Sequence, residues 1–169
     1  MRALARLNSL PPDEARAELL KCCGSVRWAA RVAARRPYAS AEELLGEADR
    51  VWWGLSSDDW LEAFRAHPKI GERKAEAHVS EEARAWSERE QSGAAGASGE
   101  TRAALAEANR VYEEKFGFIF IVCATGKTAG EMLASLEARL HNDREAELRV
   151  AAEEQRLITR LRLRKLLEA

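Results

Sequence analysis

The sequence has little cysteine, and its thiols follow no metal or disulfide pattern. Only three cysteines occur among 169 residues: Cys22 and Cys23 are adjacent, and Cys123 lies far from both. No Cys-x-x-Cys pair is present, which argues against a structural zinc site and against a disulfide framework. We therefore expect the three thiols to be buried and reduced, as is typical of a cytoplasmic protein.

The sequence also lacks a long apolar run and a strong charge of either sign. No stretch approaches the roughly 18 apolar residues that a membrane-spanning helix needs, and the first residues contain no apolar segment typical of a signal peptide. The formal net charge is −1, so nothing marks the whole chain as a nucleic-acid or membrane binder. This length fits one core, and we predict a single domain over residues 1–169.

No complete nucleotide or metal motif is present. Segment Ala124–Thr128 resembles the end of a phosphate-binding P-loop, but Ile121 stands where the pattern requires a glycine. The three histidines, His67, His78 and His141, are not spaced as metal ligands, and His-Glu-x-x-His is absent. The sequence therefore predicts that the protein uses no nucleotide, no metal and no other cofactor.

What the sequence has in abundance is Ala, Leu, Glu and Arg, which are the strongest helix formers. Capping residues, prolines and glycines divide the chain into predicted helices. These run from Ser9 to a stop at Gly24, over Val26–Arg35, from Ser40 (with Glu43 as a capping box), over Asp58–Arg65, Ser80–Gln91 and Thr101–Phe116, from Thr128 (with Glu131 as a capping box) through Leu140, and from Asn142 or Asp143 to the C-terminus.

This pattern predicts an all-α protein, a compact single-domain bundle of roughly eight or nine helices. Two stretches interrupt it. The small residues of Ser92–Gly99 predict a flexible loop between helices. Phe118–Cys123 is β-like, but one such run cannot form a sheet alone, so we predict a buried extended segment or a helix start.

His67 stands at the end of a predicted helix, where Pro68 and the nearby Gly71 hold it on a turn. A histidine exposed on a surface turn is the simplest interpretation. However, imidazole gives or takes a proton near neutral pH, so a histidine held in this way is also a candidate acid or base.

Three polar residues of the next predicted helix share one face. Ser87, Glu90 and Gln91 lie at positions i, i+3 and i+4, so a hydroxyl, a carboxylate and an amide point the same way. A solvent-exposed helix face is the simplest explanation. The alternative is a polar surface that binds a small substrate.

Two further segments are ambiguous. The run Phe118–Cys123 is typical of a core, although an irregular buried backbone also has N–H and C=O groups that a polar ligand can satisfy. In the last helix we predict an inward stripe of Leu157, Leu161 and, less regularly, Ile158. The basic residues are predicted to be mostly exposed, with one arginine reaching a substrate or several reaching RNA: Arg156, Arg160, Arg162, Arg164 and Lys165.

Taken together, these segments resemble the 2-oxo-4-hydroxy-4-carboxy-5-ureidoimidazoline (OHCU) decarboxylases over nearly the whole chain. The matching segments are Leu10-Pro-Pro, Cys22-Cys-Gly-Ser-x-x-Trp28, Asp59-Trp60-x-x-Ala63-Phe64-x-x-His67-Pro68-x-Ile70-Gly71, Ser87-x-x-Glu90-Gln91-x-Gly93, Asn109-x-x-Tyr112-x-x-Lys115-Phe116-Gly117-Phe118 and Gln155-x-x-Ile158-x-x-Leu161-Arg162-Leu163. Any one of these motifs is weak alone, but their combination is specific.

The resemblance implies a cofactor-independent decarboxylation of OHCU to (S)-allantoin, a step of urate catabolism that follows urate oxidase and hydroxyisourate hydrolase. It also implies a homodimer. The residues that it assigns to catalysis are His67, as the acid, and Glu90. The residues that it assigns to substrate binding are Pro68, Ser87, Gln91, the backbone of Ile119, Phe120, Ile121, Val122 and Cys123, and Arg162, with Arg160 as the alternative arginine.

Two functions of other classes compete with this interpretation. A helical interaction module without catalysis would share the same helix pattern. RNA binding by the last helix is disfavoured, because the chain is not basic and its aromatic residues are not interleaved with the arginines.

Overall fold

The computed structural model describes residues 2–70 and 80–169, and every regular element in these two ranges is an α-helix. The elements are α1 (Arg2–Ser9), α2 (Pro12–Cys22), α3 (Val26–Ala34), α4 (Ala41–Trp53), α5 (Ser57–Arg65), α6 (Glu81–Glu90), α7 (Ser92–Ala95), α8 (Gly99–Phe116), α9 (Ala129–Arg139) and α10 (Arg144–Glu168). The predicted all-α class is confirmed.

Gly71 and His78 lie outside the described residues. None of the ten helices in the described ranges is long and apolar enough to cross a bilayer.

The count of ten exceeds the predicted eight or nine because α1 and α7 were not predicted. Ser9 was interpreted as the start of the first helix, but it is the last residue of α1. Its hydroxyl donates to the carbonyl of Arg6 at 2.9 Å, so it closes one helix instead of capping the next. The following helix, α2, begins after Pro11 without any side-chain cap.

The helix α7 lies inside the stretch predicted to be a flexible loop. The small side chains there have a packing role at Gly93: a Cβ atom at this position would lie 2.1 Å from the carbonyl oxygen of Lys127. Only glycine permits that close approach of two backbones. The glycine at position 93, which contributed to the prediction of a flexible loop, is therefore required for tight packing against the backbone of Lys127.

The helix starts that depend on local capping were predicted well. The Thr128 hydroxyl accepts from the backbone N–H of Glu131, whose carboxylate in turn accepts from the Thr128 N–H, which completes the predicted capping box. Ser40 accepts from Glu43 N–H, but the Glu43 carboxylate accepts from the N–H of Ala39, one residue earlier than a capping box requires.

The chain forms two compact units. The first unit comprises Met1–Ala63 and Arg156–Ala169, and the second comprises Phe64–Gln155. In the first unit, Trp28 of α3 is fully buried, and its indole N–H donates to the carbonyl of Ala48 in α4 at 3.0 Å. That bond satisfies the one polar atom of a large buried ring.

The second unit has an aromatic core. Tyr112 and Phe116 of α8 pack against Phe118 and Phe120, with ring centroids 4.6–5.9 Å from Tyr112, and Phe64 of α5 adds a further ring beside Phe118. All five rings are buried. The apolar run after Gly117 is therefore part of this core, as the composition favoured.

A buried carboxylate lies inside this aromatic core. Glu147 of α10 is fully buried and accepts from the Tyr112 hydroxyl at 2.5 Å, from Arg139 Nε at 2.6 Å and from Asn142 Nδ2 at 3.0 Å. Arg139 itself lies over the Phe120 ring, 4.5 Å from its centroid, and donates to the carbonyl of Ile121 at 2.8 Å. The ion pair thus connects α8, α9 and α10 to the extended segment.

Replacing Glu147 with leucine should destabilise the protein strongly, because the Arg139 cation would remain buried without its counter-charge. Removing one partner of a buried pair costs roughly 3–5 kcal/mol of unfolding free energy. Denaturant unfolding followed by circular dichroism measures the change. Glu145→Leu is the matched control in the same helix turn, since Glu145 is exposed, and should change stability by less than about 0.5 kcal/mol. Equal losses in the two variants would contradict the assigned role of Glu147.

Candidate active site

His67 lies just beyond the end of α5, on the turn that the sequence predicted. Its backbone N–H donates to the carbonyl of Phe64 at 3.1 Å, and the buried Pro68 follows it. The imidazole is half-buried, and its Nε2 lies 2.6 Å from the Oε1 atom of Gln155 in α10. His67 is therefore held by a side chain of the second unit and is not a freely exposed surface histidine.

The polar face of α6 is largely buried. Ser87 is 3% exposed and Glu90 is 8% exposed, while Gln91, which follows the helix as its C-cap, is half-buried. The simplest explanation, a solvent-exposed face, was therefore wrong for Ser87 and Glu90. Burying a carboxylate and a hydroxyl is unfavourable unless polar groups contact them, so Ser87 and Glu90 are polar groups of the protein interior and not of a solvated helix face.

The segment Ile119–Cys123 is extended, and of the two predicted alternatives the extended one is correct. Phe120, Ile121, Val122 and Cys123 are buried, and Ile119 is half-buried. The segment belongs to no sheet within the described ranges, so its polar backbone groups need other partners. Side chains supply several of them.

Three charged side chains bind this backbone. Arg139 donates to the Ile121 carbonyl at 2.8 Å, Lys127 Nζ donates to the Cys123 carbonyl at 2.7 Å, and the Glu154 carboxylate accepts from the Cys123 N–H. The expectation that these backbone groups would need partners is therefore correct. The partners for these three groups belong to the chain itself.

Glu154 was not singled out by the sequence. Burial raises the pKa of its carboxyl group, and the Arg139 and Lys127 cations oppose this shift. Burial also raises the pKa of the Cys123 thiol, to which the negative charges of Glu154 and Glu90 add. The thiol is thus held in its protonated, unreactive form, and Glu90 and Glu154 lie in the same electrostatic neighbourhood.

A cavity of about 750 Å³ lies in the second unit among α6, α8 and residues 68–70. Pro68 and Gln91, two of the predicted substrate-binding residues, line it, whereas His67, Ser87 and Glu90 do not. The other lining residues are Lys69, Ile70, Arg84, Glu88, Ser92, Ala94, Arg102, Leu105, Ala106, Asn109 and Arg110.

Two polar atoms of the cavity lining are buried and lack a hydrogen-bond partner in the described part of the chain: Arg84 Nε and Asn109 Oδ1. One is a donor and the other an acceptor, and both are enclosed by the protein beside the cavity. Asn109 belongs to the motif that carried the resemblance, but nothing in the sequence indicated that its side-chain oxygen would be buried there.

The C-terminal arginines belong to the first unit. They were predicted to be mostly exposed, but Arg156 and Arg160 are half-buried and Arg162 is buried. Arg162 is 5% exposed and donates to the carbonyl of Lys21 at 3.4 Å. Arg160 and Arg156 both donate to Asp49, at 2.6 Å and 3.2 Å. Asp49 thus pairs with Arg160 and Arg156, and all three arginines have partners within the chain.

The predicted inward stripe of α10 is correct at Ile158, which is buried, and wrong at Leu157 and Leu161. Leu157 is 36% exposed and Leu161 is half-buried, whereas the buried positions follow a different helical face: Gln155, Ile158, Thr159, Arg162, Leu163 and Leu166. Half of that face is polar, so a search for apolar periodicity could not find it.

The remaining histidine and the cysteines fit structural roles. His141 is exposed beyond the end of α9. None of the three cysteines forms a disulfide and all three are buried, as expected. Burial raises the pKa of Cys23 to about 12. Among residues 2–70 and 80–169, no group of three His, Cys, Asp or Glu side chains is arranged to hold a metal ion.

Comparison with known proteins places this geometry in a family. The chain is 41% identical over 146 residues to the uric acid degradation bifunctional protein TTL of Arabidopsis thaliana, covering 86% of this chain and 45% of that protein. It is 30% identical over 137 residues to the 2-oxo-4-hydroxy-4-carboxy-5-ureidoimidazoline decarboxylase of Haloferax volcanii, covering 80% of this chain and 79% of that one. The chain thus spans less than half of the plant relative's length.

A solved structure and a family model agree with these matches. The crystal structure of an OHCU decarboxylase in the presence of (S)-allantoin superposes with a TM-score of 0.76 at 37% identity and covers 90% of this chain and 98% of that one. The family model described as OHCU decarboxylase matches residues 8–164. Because that match includes nearly every helix described above, the chain belongs to the OHCU decarboxylase family.

Proposed function

We propose that this chain decarboxylates OHCU to (S)-allantoin without a cofactor, in the urate-degradation sequence that also uses urate oxidase and hydroxyisourate hydrolase. The observation that carries the proposal is the position of His67 in a family member: it is half-buried on a turn and held by Gln155. The 37%-identical relative crystallised with (S)-allantoin supports the substrate class.

The proposed reaction does not require a cofactor to accept electrons. OHCU carries its carboxylate on a carbon next to a ring C=N bond, so the electron pair released with CO2 can enter that imine. The protein must then orient the substrate, exclude water and deliver one proton to one face of a carbon. A half-buried histidine and a buried carboxylate are the kinds of group suited to that delivery.

We assign the proton delivery to His67, supported by Glu90. The proposed substrate-binding groups are Pro68, Ser87, Gln91, the backbone of 119–123, and Arg162. The burial of Ser87 and Glu90 supports a role for the α6 face, and the family resemblance of the C-terminal motif supports the choice of Arg162. The buried thiols, none of which forms a disulfide, suit a reducing cytoplasm.

A coupled assay tests the activity. Urate, urate oxidase and hydroxyisourate hydrolase generate OHCU, and circular dichroism follows optically active allantoin. Adding this protein should accelerate its appearance, and prior dialysis against EDTA should leave the rate intact. An unchanged rate would favour a non-catalytic interaction module. A rate lost on dialysis and restored by a divalent ion would contradict cofactor independence.

Variants of His67 and Glu90 test the assigned roles. His67→Asn and Glu90→Gln should each lower kcat by roughly 10²–10⁴-fold, since a positioned acid or base contributes about that much. The double variant should be much less than multiplicatively worse, as expected for residues that act on one step. His141→Asn is the matched control, because His141 is exposed, and should retain wild-type activity.

Both site variants must be shown to be folded before their rates are interpreted, because Glu90 is buried. A folded His67→Asn protein that makes (S)-allantoin at the wild-type rate would remove His67 from the mechanism. In that case Glu90 or a bound water would be the better proton source.

We also propose that the protein is a homodimer, as the family resemblance implied. Trp53 is consistent with an interface: it is 44% exposed, while its neighbour Trp52 is buried. The Trp53 ring lies edge-on to the half-buried Trp60, with ring centroids 5.7 Å apart, so these two rings place apolar surface at this position.

Sedimentation equilibrium at micromolar concentration should give twice the 18.8 kDa mass of one chain. Trp53→Lys should shift the distribution toward the monomer if Trp53 lies in the interface. A wild-type protein that sediments as a monomer would reject the dimer altogether.

A further inference from the structure

The contact between His67 and Gln155 determines more than the position of the ring. Gln155 is fully buried in α10, and its Oε1 lies 2.6 Å from His67 Nε2. An amide oxygen can only accept a hydrogen bond. With the amide oxygen facing the ring, this hydrogen bond requires a proton on Nε2, with Nε2–H as the donor.

This assignment fixes the tautomer of the neutral ring. If Nε2 keeps its proton, the lone pair of the neutral imidazole resides on Nδ1. A proton gained by the ring is then gained at Nδ1, and a proton delivered by the imidazolium leaves from Nδ1. The ring returns to the Nε2–H tautomer after each delivery.

We propose that Gln155 is a positioning residue for the reaction: it holds His67 as the Nε2–H tautomer and makes Nδ1 the nitrogen that exchanges a proton with the substrate. The inference rests on the proposed function for its catalytic consequence. The tautomer assignment rests on the contact between the two side chains and not on the proposed function.

The identity of the residue supports this role. A glutamate here would also accept from Nε2–H, but its negative charge would favour the imidazolium and oppose proton release. A neutral amide orients the ring without that charge. A buried amide left without a partner is unfavourable, so the same bond also explains why a polar residue is tolerated at a fully buried position.

The tautomer can be read directly from nitrogen chemical shifts. Two-bond 1H–15N correlation spectra of the uniformly labelled protein distinguish Nδ1–H from Nε2–H rings. The chain has three histidines, so His67→Asn and His141→Asn spectra assign the signals. We expect the His67 ring to be the Nε2–H tautomer in the wild type and a mixture of tautomers in Gln155→Leu.

Kinetic measurements distinguish a role of Gln155 in positioning His67 from a role in folding. Gln155→Leu should lower kcat by about tenfold to a hundredfold, part of the roughly 10²–10⁴-fold that a positioned acid supplies, with a smaller change in KM. Gln155→Glu keeps the acceptor, so it should restore the Nε2–H tautomer and shift the pH profile of kcat toward higher pH. The matched control is Trp28→Phe in α3, which also removes a buried hydrogen bond and should leave the His67 spectrum unchanged.

The outcomes for the two proposals are separable. A wild-type His67 ring that is the Nδ1–H tautomer would overturn the inference, since Gln155 would then be the donor. A folded Gln155→Leu variant with wild-type kcat, alongside an inactive His67→Asn variant, would also overturn it and leave the proposed function standing. An inactive wild type with the Nε2–H tautomer would instead reject the proposed function and retain the contact.

Discussion

The buried carboxylate of Glu147 is the constraint on which the second unit depends. A charge in an aromatic core is tolerated only when it is paired and fully hydrogen-bonded, and Glu147 draws donors from Tyr112, Arg139 and Asn142. A buried pair of this kind gives little net stability over apolar packing. What it provides is position, because Arg139 also donates to the carbonyl of Ile121.

The extended segment follows from that constraint. Its carbonyl at Ile121 is taken by Arg139, its carbonyl at Cys123 by Lys127, and its N–H at Cys123 by Glu154. A backbone satisfied in this way can remain extended and buried without a sheet. The sequence could predict that the run was buried, because its residues are aromatic and aliphatic. The partners lie elsewhere in the chain and cannot be inferred from local pattern.

The same contrast explains which parts of the fold could be predicted. The helix starts at Ser40 and Thr128 depend on residues three positions away, and the local sequence pattern predicted both. Gly93 depends on the backbone of Lys127 and was misread as part of a flexible loop. In α10 the apolar stripe was partly misplaced, because Gln155 and Arg162 occupy buried positions where periodicity expects leucine. The family resemblance, not periodicity, pointed to Arg162.

Polar burial on helix faces also links the fold to the candidate site. Ser87, Glu90 and Gln155 are all less than one-tenth exposed, and each would destabilise the protein without polar partners. When a buried polar side chain contacts a titratable ring, as Gln155 contacts His67, the charge of that side chain decides how readily the ring releases a proton. A carboxylate would stabilise the bound proton and make the ring a weaker acid, whereas an amide orients the ring with a smaller desolvation penalty. A neutral partner therefore suits the proton delivery that we propose for His67.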